Sequence, residues 1–228
     1  MHSNEKEIHN FSLLDALKIG CNYIVASLYF IDRTDKKGQC MKDYLKLSSE
    51  QPIFFTSDTH FGHRNIIDHC HRPFSSVEEM NEAIICKWNQ VVEKDAFVFH
   101  LGDFGVGGAE EWNEWLNRLN GRICLVMGNH DLWTVRKGYD RFESISMQML
   151  IEVGKQKIYL CHYPFLCYSG ANKKVWQLFG HVHTNPVQSE EGNSLSGRLF
   201  PTQYDVGMDN NGFAPLSFVQ VRSIIRNR

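Results

Sequence analysis

Between residues 52 and 131 the chain repeats one pattern: a short apolar run, a stop at small and charged residues, then an amphipathic stretch. The runs are PIFFTSD (52–58), AFVFHLGD (96–103) and RICLVMGNHD (122–131). Short continuous apolar segments of this kind predict buried strands. Between the first two, SSVEEMNEAIICKWNQVVEK places Val77, Met80, Ile84, Trp88 and Val91 near helical spacing, and Ser76 with Glu79 makes a capping-box signature. Between the second and third, AEEWNEWLNRLNG puts Trp112, Trp115, Leu116 and Leu119 on one face, with Gly121 as the stop. Strand, helix, strand, helix, strand is the βαβ pattern of an α/β fold.

The second half changes character. SMQMLIEV, KIYLCHYP, VWQLFGHVH, QYDVGMD and LSFVQV look like successive strands with few helical stretches between them. A mixed or antiparallel sheet is expected there. The fold class is therefore α/β, a four-layer α/β/β/α sandwich of two mostly mixed sheets flanked by helices. Residues 51–228 are assigned to this domain. Residues 1–50 are set apart as an N-terminal extension, helical or partly disordered. Its apolar stretch 11–31 is interrupted by Asp15, Lys18 and Asn22, too broken for a spanning helix, and the first ten residues do not resemble a secretory leader.

Composition narrows the field of partners. A chain of 228 residues with 43% hydrophobic and 22% charged residues suits one soluble domain. The net charge of −2 offers no basic field for a nucleic acid or a membrane surface, so neither is expected as a partner and no extended nucleic-acid groove is evident. A small phosphate ester held locally is not excluded. The seven cysteines are irregularly spaced without a C-x-x-C pair, which argues against a disulfide framework and for the cytoplasm. Nothing in the pattern fixes an oligomeric state.

The chemistry gathers where the runs end. Asp58 and His60 follow IFFTS, Asp103 follows FVFHLG, and Asn129, His130 and Asp131 follow LVMG. His162 follows IYLC, and His181 and His183 follow WQLFG. The carboxyl ends of parallel strands share one edge, where ligand sites form. Oxygen donors mixed with imidazole, without thiolate, suit manganese, iron or zinc rather than a structural cysteine site. The donors are too many for one four-coordinate ion but sensible for two ions about 3.5–4 Å apart with one bridging carboxylate. Asn129 is then a neutral oxygen ligand and His130 a proton carrier beside it. Asp131 either orients that imidazole or caps a following helix.

Neighbouring polar groups read less sharply. His63 and Arg64 either grip a substrate phosphate or begin a solvated helix. DHCHR (68–72) looks like a surface helix end, because adjacent residues point apart on a helix. His100 and the tryptophans at 112 and 115 are expected to be structural. GDFGVGG lacks the Gly-Lys-Ser/Thr of a P-loop, so its glycines are expected to serve a tight turn.

In order, Asp58-x-His60, Gly102-Asp103, Gly128-Asn129-His130-Asp131, His162 and Gly180-His181-x-His183 resemble the calcineurin-like metallophosphoesterases over about residues 52–218. YDVGMDNNGFAPLSF also resembles the segment beyond the last motif in small bacterial members. The resemblance implies that Asp58, His60 and His183 hold a first metal, Asp103 bridges, and Asn129, His162 and His181 hold a second. His130 would contact the scissile phosphate or the leaving group. The implied activity is hydrolysis of a phosphomono- or phosphodiester by a hydroxide bridging two metal ions, with Mn²⁺ the first choice and iron or zinc as alternatives. Two other functions compete: a nuclease or nucleotide phosphodiesterase on the same centre, and a non-catalytic scaffold of this fold.

Overall fold

The computed structural model describes residues 44–132, 134, 141–183 and 198–228. The expectation of a helical or disordered extension lies, up to residue 43, outside the described residues. The elements run β1 (Tyr44–Leu47), β2 (Ile53–Thr56), α1 (Arg64–His69), α2 (Val77–Val91), β3 (Phe97–His100), α3 (Ala109–Arg118) and β4 (Arg122–Val126). They continue with β5 (Ser144–Ser146), β6 (Gln148–Val153), β7 (Gln156–Cys161), β8 (Trp176–Phe179), β9 (Gln203–Asp205), β10 (Leu216–Ser217) and α4 (Phe218–Arg226).

Two mixed five-stranded sheets result. One has the order β10-β2-β3-β4-β5, with β2 to β5 parallel and β10 antiparallel at its edge. The other has the order β1-β6-β7-β8-β9, in which only the β6–β7 hairpin is antiparallel.

Strand alternation explains why the sheets lie face to face. On β3, Val98 joins a core with Met80, Ile84 and Trp88 of α2 and Trp112, Trp115 and Leu116 of α3. Its neighbours Phe97 and Phe99 turn the other way, into a core with Ile151, Ile158, Leu160 and Leu178 of the second sheet. Each such side chain contributes about 1.5–3 kcal/mol when fully buried. The α/β sandwich of two mixed sheets flanked by helices is thus the observed architecture.

Local signals hold with small shifts. Ser76 Oγ accepts the Glu79 N–H at 3.1 Å, but the return bond reaches Ser75 N–H at 2.8 Å, one residue earlier than a capping box requires. Val91 falls off the buried face and is exposed. Two expectations need correction. LSFVQV is a strand only over Leu216–Ser217; Ser217 then caps α4, exchanging bonds with Gln220, and Phe218, Val221 and Ile225 bury one helical face. The β-branched residues there mimic a strand, and the cap decides. The second sheet also begins before residue 51, because β1 pairs in parallel with β6 and Leu47 enters the inter-sheet core.

Candidate metal centre

Parallel register aligns the carboxyl ends of the central strands: Thr56 lies opposite His100, and His100 opposite Leu125. Asp58, Asp103 and Asn129 therefore leave the first sheet at one edge. In the second sheet Leu160 lies opposite Leu178, which brings His162, His181 and His183 to the corresponding edge. The two edges are tied together. Met208 N–H donates to Ser57 O at 3.0 Å, and His181 N–H to the Asp58 carboxylate at 3.0 Å.

The backbone at these residues is unusual. Asp58, His60, Asp103, His181 and His183 sit at φ of 57°, 51°, 54°, 71° and 43°. Left-handed conformations at non-glycine residues cost about 1–3 kcal/mol each and persist only where the surroundings impose them. Of the eight described non-glycine residues at positive φ, these five are ones that the motifs singled out, and His71, Lys174 and Phe213 are the others.

Among the described residues four groups have donor atoms within 4.8 Å of one another, two of them being His60, Asp103 and His130, and Cys70, His183 and Asp209. The two that match the implied ligand sets are a first of Asp58, His60 and His183 and a second of Asp103, His162 and His181. Asp103 Oδ2 stands between them, 3.7 Å from His60 Nε2 and 3.5 Å from His162 Nε2. Asn129 Oδ1 joins the second group, 3.1 Å from His162 Nε2. His183 Nε2 faces Asp58 Oδ1 at 3.9 Å.

This donor set fits metal ions. His60 Nε2 is buried and has no hydrogen-bond partner, although an orphaned buried polar atom is costly. His162 Nδ1 lies 2.7 Å from the Leu101 carbonyl, which can only accept, so Nδ1 carries a proton and Nε2 is turned toward oxygen acceptors. Positive charge is needed at that point. The protonation preferences say the same. Burial alone would lower His162, but Asp103 and Asp58 lift it to about 9. Burial is likewise outweighed at His183, where Asp58 and Asp209 raise the ring to about 11. For Asp103, burial opposes ionisation, yet His162, His60 and the His130 N–H hold its carboxyl below the usual range. His60 itself is pushed well below its ordinary value, by burial first, and stays neutral.

Asp131 acts on the main chain around the donor groups. Its carboxylate accepts the N–H groups of Asp103 (2.7 Å), Phe104 (2.9 Å) and Gly128 (2.7 Å), and so clamps the turn bearing Asp103 to the turn bearing Asn129. Burial, then the charge of Asp103, raise it to about 6. His100 is structural as expected. It accepts from Gly102 N–H at Nδ1, leaving Nε2–H for Thr59 Oγ1 at 2.9 Å.

The two clamped turns approach too closely for side chains. A Cβ at Gly128 would lie 2.6 Å from Asp103 N and strike its carboxylate; at Gly102, whose φ is +97°, it would meet Gly128 Cα at 2.7 Å. Gly128→Ala is therefore expected to cost about 1–3 kcal/mol of stability, as overpacking does. Bound metal is expected to fall with it. Thermal unfolding and metal analysis of the purified variant check both.

The remaining residues of interest divide. His130, with a side chain 39% exposed, stands at the mouth with Nε2 4.0 Å from Asp103 Oδ2. His63 enters the site, its Nδ1 3.2 Å from His60 Nδ1. Arg64 does not. It makes an exposed ion pair with Asp68 at 3.1 Å, four residues along α1. A cavity of about 480 Å³ opens over the groups, walled on the far side by Asn65, Ile66, His69, Cys70 and His71.

Two functional-site residues escaped the sequence reading. Arg72 is buried, not at a surface helix end, and binds Asp209, whose Oδ2 lies 2.7 Å from His183 Nδ1. The hint was Asp209 within the segment YDVGMDNNGFAPLSF, which the motif order already covered.

Residues 51–201 match the calcineurin-like phosphoesterase family. The chain belongs to that family. An uncharacterized protein of Methanocaldococcus jannaschii is 40% identical over 139 residues, covering 60% of this chain and 72% of its own. The gene 66 protein of Mycobacterium phage L5 is 26% identical over 191 residues, covering 68% and 86%. A crystal structure of a protein of unknown function from Aquifex aeolicus has a TM-score of 0.60 and 26% identity, covering 77% of this chain and all of that one. Calcineurin-like phosphoesterases are metal-dependent, and the His and Asp groups described above are this member's candidate metal-binding residues. No described helix is long and apolar enough to cross a membrane.

Proposed function

We propose that this calcineurin-like phosphoesterase hydrolyses a small phosphomono- or phosphodiester at a two-metal centre. Asp58, His60 and His183 hold one ion, Asn129, His162 and His181 the other, and Asp103 is shared. The observation that carries this reading is the pair of donor groups with Asp103 Oδ2 between them, beside a buried His60 nitrogen that has no other partner. When bound, the ions supply Lewis acidity, which yields a water nucleophile near neutral pH and offsets charge on the phosphate oxygens; manganese is the first candidate, with iron or zinc as alternatives.

The chain's own groups do the rest. Asp131 and the strained turns hold Asp103 and Asn129 before substrate arrives, so little reorganisation is left for the reaction. His130, at the mouth, delivers a proton to the departing oxygen. His63, beside His60 and 5.4 Å ring to ring from His130, contacts the phosphate or its substituent. The cavity lining includes no lysine or arginine among the described residues, which favours a small substrate over a nucleic acid strand. The free thiols at Cys70, Cys86, Cys124, Cys161 and Cys167 accord with a cytoplasmic setting.

The test is a panel of p-nitrophenyl mono- and diesters, cyclic nucleotides and single-stranded DNA, assayed with Mn²⁺, Zn²⁺ or Fe²⁺. Turnover of a small ester is expected, lost with EDTA and restored by the metal. Protein that binds two ions and turns over none of these esters would favour the scaffold reading instead.

A further inference from the structure

The Arg72 guanidinium is buried behind the first donor group. Its Nε and Nη2 each lie 2.8 Å from an oxygen of Asp209, 137 residues away in the chain. Nη2 also donates to the Asp58 carbonyl at 2.7 Å, and Nη1 to the Thr59 carbonyl at 3.0 Å. The two side chains are 0% and 2% exposed. A carboxylate gripped on both oxygens by a guanidinium is ionised and only accepts. The proton between Asp209 and His183, 2.7 Å apart, therefore sits on His183 Nδ1, and Nε2 is the nitrogen that faces Asp58.

A buried ion pair is weak evidence for stability, since its desolvation offsets most of its attraction. This one has another consequence. It fixes the ring of His183 through Nδ1 and pins the left-handed Asp58 peptide through its carbonyl. In the second group, by contrast, His162 Nδ1 is held by the neutral Leu101 carbonyl. Resting on the two-metal reading, we propose that Arg72 and Asp209 are positioning residues that act through His183 and Asp58 to retain the ion of the first group.

Asp209→Asn and Arg72→Lys test this in the full chain. Metal analysis after dialysis and a Mn²⁺ titration followed by electron paramagnetic resonance are expected to show one ion held about ten- to hundredfold more weakly, the usual effect of losing an outer-sphere partner. The coupled manganese pair of the wild type is expected to give way to an isolated ion. In zinc-loaded and metal-free wild type, ¹⁵N-resolved imidazole spectra are expected to show a slowly exchanging proton on His183 Nδ1, exchanging faster in Asp209→Asn. Folded variants that keep both ions at wild-type affinity overturn the proposal. If neither variant folds, the wild-type spectrum decides, and a bare Nδ1 on His183 overturns it. Wild type that takes up no divalent ion defeats the two-metal reading, and the Nδ1 proton in the metal-free chain still decides what the pair does to His183.

Discussion

Asp103→Asn is expected to lower phosphoester turnover roughly a thousandfold and to empty both metal positions, not one, on the scale of removing a principal electrostatic stabiliser. The reason is position. Oδ2 lies between His60 and His162 at 3.7 and 3.5 Å, so it serves both donor groups, whereas Asp58 serves the first alone. An amide keeps the shape but removes the charge. Its Oδ1 can still accept the His130 N–H that Asp103 accepts at 2.9 Å, so the turn is retained. Relief of repulsion with Asp131 offsets part of any lost contact, and the metal-free melting temperature is expected to change little. Metal content, melting temperature and kcat/KM at saturating Mn²⁺ separate the effects. A variant that retains both ions and near-normal turnover would remove Asp103 from the centre of the mechanism. Asp58→Asn, run alongside, is expected to lose the first ion preferentially.

The parallel half was legible because each apolar run ends just before a functional side chain. A strand such as Phe97–His100, buried on both faces, carries no alternation to confuse the reading, and Asp103 follows it directly. The donor set was legible for the same reason, since every member lies within a few residues of a strand end. Other features had no local signal. Arg72 and Asp209 are joined only by the fold, and a charged residue after a short helix looks solvated from sequence alone. The clamp made by Asp131 had no local signal either, because two of its partners are main-chain N–H groups on a different turn, which a string of side chains does not display. In α4 the residues Phe218, Val221 and Ile225 follow helical spacing, but Val219 and Ile224 fill the positions between and blur it.

His130→Ala is expected to lower kcat by about 10²–10⁴-fold, the range for removing a general acid, while leaving both ions in place. The main-chain N–H of residue 130 holds Asp103 Oδ1 at 2.9 Å, and alanine retains that bond. The imidazole itself is half-exposed at the mouth and 4.0 Å from Asp103 Oδ2, so its loss opens no buried cavity. If it supplies the leaving-group proton, the defect must depend on the leaving group. Alkyl esters, whose alkoxides are strong bases, are expected to suffer most; p-nitrophenyl esters, which leave without a proton, much less. KM is expected to change little. The contrary outcome is informative because His60, Asp103 and His130 also form a group whose donor atoms lie within 4.8 Å of one another. A variant that loses an ion and slows all esters equally would make His130 a ligand, and the proton donor would then have to be sought at His63, the imidazole that shares its wall of the cavity.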